Sequence, residues 1–189
     1  EAEQNIPIEN LVFIWSSGVY ANNQVFDLYL KTISENYGGL ENLSLIPGNV
    51  GTIGRLAFAL NCTLHLIKPY GFGEITEKEV RRAGLDYWFD LDVREYENIE
   101  DFWAKNPFND RHFFATTKTK QVYFEANYKV GDYFYFGRED AGLPQSILDK
   151  SAKTCITIPM TNEARSLNIA NSVSIVCYEA LIQNFKDFK

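Results

Sequence analysis

The chain has 189 residues, 46% of them hydrophobic and 15% aromatic, enough for one domain with a proper buried core. Its formal net charge of −7 argues against a nonspecific nucleic-acid binder, although six acids and one base in residues 1–47 account for −5 of it. No apolar run approaches the roughly 20 residues that a membrane-spanning helix requires.

Taken in chain order, "LVFIW" (11–15) predicts a buried strand. "NNQVFDLYLKTISENYGG" predicts a helix with Phe26, Tyr29, Leu30 and Ile33 on one face, stopped by Gly38-Gly39. "LSLI" (43–46) reads as a strand, "PGNVG" as a turn and "TIGRLAFALN" as a helix ending at Asn61. "CTLHLIKP" reads as a strand stopped by Pro69, and "TEKEVRRAG" as a helix opened by Thr76 with Glu79 in capping-box position. "DYWFDLDV" reads as strand or strand plus loop, "NIEDFWAKN" as a helix, and "RHFFATTK" and "DYFYFG" as strands. "LPQSILDKS" is a short helix, "CITIPM" a strand, and a last amphipathic helix starts near Ser166, a good N-cap. Strands alternating with helices predict an α/β fold with a mostly parallel sheet covered on both faces.

Cys62, Cys155 and Cys177 form no CxxC pair, which predicts buried, reduced thiols in a cytosolic setting. His65 and His112 are far apart, and no metal site is expected. His65 reads as a packed strand residue, and Tyr133 to Phe136 as core before they are a base-stacking platform. No dinucleotide fingerprint, Walker loop or Ser-His-Asp arrangement is present.

In open α/β sheets ligands bind beyond the carboxyl ends of the strands. Three loops there are rich in Gly, Pro and Asn: "PGNVGTIGR", "REDAGLP" and "MTNEARSLN". In the last, Arg165, Asn168 and Asn171 stand at a helix start, where a ligand or a buried polar cap would each account for the amides.

Together, "NVGTIGR" (49–55), "FGREDAGLP" (136–144) and "IPMTNEARSLNIANSVSIVCYEA" (158–180) resemble the three ordered motifs of the SPOUT superfamily of RNA methyltransferases. "LHLIKPYGF" (64–72) followed by "RRAGLDYW" (81–88) is similar to the linking segment of the TrmL (YibK-like) branch. The likeness spans residues 43 to 182. It implies a C-terminal deep trefoil knot, S-adenosylmethionine as methyl donor, a homodimer, and methylation of the ribose 2′-hydroxyl of the tRNA wobble nucleotide. It divides the chain into an N-terminal extension, 1–42, and a methyltransferase domain, 43–189.

Carried over by position, the resemblance implies that backbone around Ala115, Thr116, Gly137, Ile158 and Ser166 holds the cofactor. Glu139 would shape the second loop and Asn168 would help close the pocket. Arg55 would hold a phosphate and orient the hydroxyl, and Asn49 would support its loop. Arg81, Arg82 and Lys118 would contact tRNA phosphates, and Arg165 the cofactor carboxylate or RNA. The chain departs from the pattern in three ways: about forty extra residues precede the first strand, the stretch before Pro47 is shorter by roughly four residues, and Thr52 stands where the branch often has Asn. The extension would add a strand-helix unit at the sheet edge or cover a dimer face. Methylation of another RNA, such as ribosomal RNA, and a binding protein with impaired chemistry are the competing expectations.

Overall fold

The computed structural model describes residues 10–14, 48–68, 85–137 and 142–187. Among them six strands form one sheet: β1 (Asn10–Ile14), β2 (Thr63–Ile67), β3 (Val93–Tyr96), β4 (His112–Ala115), β5 (Tyr133–Phe136) and β6 (Cys155–Ile156). Their order is β3-β2-β1-β5-β4-β6, and every pairing is parallel. A parallel sheet buries both faces, which is why its strands read as continuous apolar runs. Side chains alternate between two cores. Leu64, Leu66, Phe113, Phe134 and Phe136 join the helices α1 (Gly48–Ala59) and α4 (Ile169–Gln183) on one face. Ile67, Phe114, Tyr135 and Cys155 join α2 (Ile99–Lys105) and α3 (Gln145–Lys150) on the other.

The structure corrects several boundaries. Asn10–Ile14 is not an edge strand. It lies mid-sheet, with Leu11 opposite Leu64 on one side and Phe134 on the other. The segment "LSLI", the helix expected over 22–39 and the one expected over 76–84 lie outside the described residues. "PGNVG" is not a free turn, because α1 already begins at Gly48. That helix ends at Ala59 rather than Asn61. Asn61 takes a left-handed φ of 53°, with Cys62 N–H donating to Ala57 O and Asn61 N–H to Phe58 O. This is a Schellman stop with Asn in place of Gly. "DYWFDLDV" splits into a 3-10 helix, Asp86–Asp90, followed by β3, because burial of Trp88 against α1 overrides the β propensity of the aromatic run. The extended part of "CITIPM" is Cys155–Ile156, with Thr157 making one further bridge to Val122.

The three cysteines form no disulfide and are buried. Both histidines are buried too, on the α2/α3 face. His65 Nδ1 lies 3.0 Å from the Tyr96 hydroxyl and His112 Nδ1 lies 2.5 Å from that of Tyr135. Trp103 Nε1 donates to the same Tyr135 oxygen, which leaves the phenol proton for His112. Burial pushes both imidazoles down to about 4. A group depressed in the folded state keeps its full contribution above its unfolded pKa, near 6.5. Below that the unfolded chain takes up protons that the folded one refuses, so stability falls as pH drops from about 6.5 toward 4. The expected loss between pH 7 and 5 is about 2 kcal/mol per histidine. Urea midpoints at the two pH values measure it, and imidazole NMR signals should not titrate in between.

Candidate functional site

A cavity of about 460 Å³ opens at the carboxyl ends of β4, β5 and β6. Its size is within the range of about 300–1,000 Å³ usual for cofactor pockets. Three loops and the start of α4 build it. Ala115 ends β4 and Thr116, Thr117 and Lys118 follow it, Gly137, Gly142 and Leu143 follow β5, and Ile156 ends β6 with Thr157 and Ile158 after it. Met160, Arg165, Ser166, Leu167, Ile169, Ser172 and Val176 close the remaining side. The deep wall is apolar, with Phe136, Ile156 and Val176 buried. Polar groups come from loop backbone, hydroxyls and two cations at the rim. The β4 and β6 ends are held together where Thr116 N–H donates to Ile156 O at 2.9 Å. Among the described residues no three His, Cys, Asp or Glu side chains gather as metal ligands.

Gly137 explains why the second loop needs glycine. A Cβ there would stand 2.1 Å from the Gly142 carbonyl carbon and 2.3 Å from Leu143 N. Those neighbours are backbone, so nothing can rotate away. Gly142 itself has φ +68°, a conformation that side chains disfavour. Gly137 and Gly142 thus meet backbone to backbone at the cavity, and Glu139, between them in sequence, lies outside the described residues.

The third motif is built differently from the expected Ser166 cap. The last helix starts at Ile169, and Asn168 is its N-cap, with Oδ1 accepting from Ala170 N–H and Asn171 N–H. An Asn side chain reaches those amides as well as Ser does, and Ser166, two residues earlier, is left to line the cavity. Asn168 and Asn171 therefore do not share a helix face. The other end of Asn168 matters as much: its Nδ2 donates to Asn49 Oδ1 at 2.9 Å. The side chain ties the first turn of α1 to the cavity wall. Asn168→Ala should lower stability by about 1 kcal/mol through the lost cap. It should also cut activity by more than that loss of fold accounts for, since the α1 tether goes too. Thermal midpoints beside single-turnover rates separate the two effects.

Arg55 is exposed on α1 and does not line the cavity. Its guanidinium carbon sits 5.5 Å from the ring centroid of Tyr87, and the Tyr87 hydroxyl donates to Gly51 O at 2.6 Å. Burial pushes that hydroxyl up in pKa and Arg55 pulls it the other way. Of the residues singled out from sequence, Ala115, Thr116, Gly137, Ile158 and Ser166 meet in the cavity, with Lys118 and Arg165 at its rim. Lys118 Nζ also donates to Gln145. Asn49 and Asn168 pair beside the cavity, and Arg81 and Arg82 lie outside the described residues. Leu143, Met160 and Tyr87 were not picked out. The signal was present, since each lies inside or beside a quoted motif, but their residue types read as packing.

A model of the SpoU rRNA methylase family matches residues 41–178. The chain belongs to this family. An Escherichia coli tRNA (cytidine(34)-2′-O)-methyltransferase is 44% identical over 137 residues, which cover 71% of this chain and 85% of that protein. A solved structure described in terms of 2-OH methylation of C/U34 on tRNA superposes with a TM-score of 0.67 at 38% identity, over 75% of this chain and 91% of the other. An rRNA methyltransferase from Sinorhizobium meliloti with bound AdoMet superposes with a TM-score of 0.62 at 27% identity, over 72% of this chain and 52% of the other. The SpoU match begins at residue 41, yet β1 lies at 10–14 and pairs on both sides within the sheet. Strand β1 thus joins the sheet although it precedes the matched region, and 33 residues stand between Ile14 and Gly48.

Proposed function

We propose that the protein transfers a methyl group from S-adenosylmethionine to the ribose 2′-hydroxyl of cytidine or uridine at the wobble position of tRNA. The observation that carries this reading is the joining of the second and third SpoU motifs in one glycine-dependent cavity, with the first motif tethered to it through Asn49 and Asn168. Relatives at about 40% identity carry that activity in their names.

The cavity suits the cofactor. Its volume, its apolar floor and its loop backbone around Ala115, Thr116, Gly137, Ile158 and Ser166 match an adenosine with a short polar tail. Asn168 keeps the far wall in place, and the rim cation Arg165 meets the tail carboxylate or RNA, while the role the motif gives Glu139 falls outside the described residues. The bound cofactor supplies an electrophilic methyl on a sulfonium. The chain supplies position. A ribose hydroxyl is a weak nucleophile and must lose its proton as its oxygen bonds carbon. Arg55 is a donor only, so it holds the flanking phosphate and aligns the hydroxyl, and the proton released as the O–C bond forms and the C–S bond breaks passes to solvent water. Arg81, Arg82 and Lys118 contact phosphates, and Asn49 steadies the first motif.

The same reading includes a homodimer, a cytoplasmic setting and a knotted carboxyl end. Phe58 on α1 and Tyr178 and Ile182 on α4 are 45%, 47% and 68% exposed, an apolar surface of the kind a second copy would cover. For the knot, the support is that the loop between β4 and β5 grips the chain on both sides. Gln121 and Tyr123 bond the backbone of Thr157, while Gln183 and Asn184 bond Ala126 and Tyr128. An anticodon stem-loop with a 2′-deoxy wobble nucleotide tests the reading: it should accept no methyl, while the ribose form does. Equal methylation of both would refute it.

A further inference from the structure

We propose that Tyr87 is a positioning residue for Arg55: its ring carries the guanidinium and its hydroxyl pins the helical turn from which Arg55 projects. The inference rests on the reading of Arg55 given above. Tyr87 belongs to the 3-10 helix Asp86–Asp90, far from Arg55 in sequence, and meets it by packing on α1. Its hydroxyl donates to Gly51 O at 2.6 Å. In an α-helix the carbonyl of residue 51 is also the acceptor for the backbone N–H of residue 55. The phenol and the Arg55 backbone are thus anchored on one oxygen, and the guanidinium returns over the ring with its carbon 5.5 Å from the centroid.

A glycine of the first motif makes this approach possible. A Cβ on Gly54 would stand 2.7 Å from Cζ3 of Trp88, and one on Gly51 would touch the Leu85 methyls at 3.4 Å. Trp88, next to Tyr87, therefore lies against the Gly51–Arg55 turn because Gly54 has no side chain, while Gly51 has room for one. Among the described residues no carboxylate pairs with Arg55, and Tyr87 meets it through both its ring and its hydroxyl. A guanidinium held over a ring has fewer orientations to lose when it binds a phosphate.

The test compares single-turnover methylation of tRNA by the full chain with Tyr87→Leu and Tyr87→Phe, each in the wild-type and Arg55→Ala backgrounds. Cofactor affinity and thermal midpoint serve as checks on folding. Tyr87→Leu should slow methyl transfer about 5- to 10-fold, the size expected of a lost cation–π contact, with cofactor affinity unchanged. Tyr87→Phe keeps the ring and should lose less, and it still tests the hydroxyl tether should the Leu variant fold poorly. In Arg55→Ala neither change should slow the reaction further, because the two residues act as one unit. Equal slowing in both backgrounds would overturn the role through Arg55 while leaving Arg55 itself in place. An Arg55→Ala protein as fast as wild type would overturn both readings, and it is recognised by that single comparison.

Discussion

Replacing Gly137 by Ala is expected to weaken cofactor binding by one to two orders of magnitude, about 10- to 100-fold, while leaving the sheet folded. The methyl group would have to occupy space already held by the Gly142 carbonyl and the Leu143 amide, at 2.1 to 2.3 Å. Overpacking against a flexible side chain is relieved by a rotamer change, but here the loop backbone itself has to move. That loop is one wall of the cavity, so the displacement is felt where the cofactor sits. An overpacking cost of about 1–3 kcal/mol, spent on the loop, would weaken binding about 10- to 100-fold. Calorimetric titration with S-adenosylhomocysteine measures it. Gly142→Ala makes the control: a Cβ at Gly142 has open space, so only its positive φ opposes the change and the loss should be smaller.

Arg55→Ala should show the opposite pattern: cofactor binding intact and methyl transfer lost. Arg55 lies outside the cavity lining, so the pocket should not register the change. The rate should fall by about 100- to 1,000-fold, as when one preorganised charged donor is removed from a reacting centre. Arg55→Lys keeps the charge and loses the planar fork, and should recover only part of the rate. Together the Gly137 and Arg55 variants separate holding the donor from aligning the acceptor.

The parallel sheet and the loops that line the cavity were legible because their signals are local. Runs such as "YFYF" and "HFFA" can only be strands buried on both faces, and Gly137, Ile158 and Ser166 lie in loops marked by Gly, Pro and Asn. Three features were misread where long-range packing decides. "LVFI" and "LSLI" are equally good strands on propensity, and only pairing with β2 and β5 shows that the first fills the central slot. Ser166 and Asn168 are equally good caps, and the winner is set by where α4 must start to reach Asn49. Tyr87 reads as a packing aromatic until its distance to Arg55 is known. Local chemistry names candidates, and tertiary contact chooses among them.

The central claim is that the cavity and Arg55 together methylate the wobble ribose. Its most direct test is transfer of labelled methyl from S-adenosylmethionine to tRNA lacking wobble ribose methylation, with the labelled nucleotide mapped and Arg55→Ala run in parallel. The account predicts label on the ribose of the first anticodon nucleotide, and its near absence with Arg55→Ala. Label elsewhere, or no label from a protein that still binds the cofactor, would contradict it.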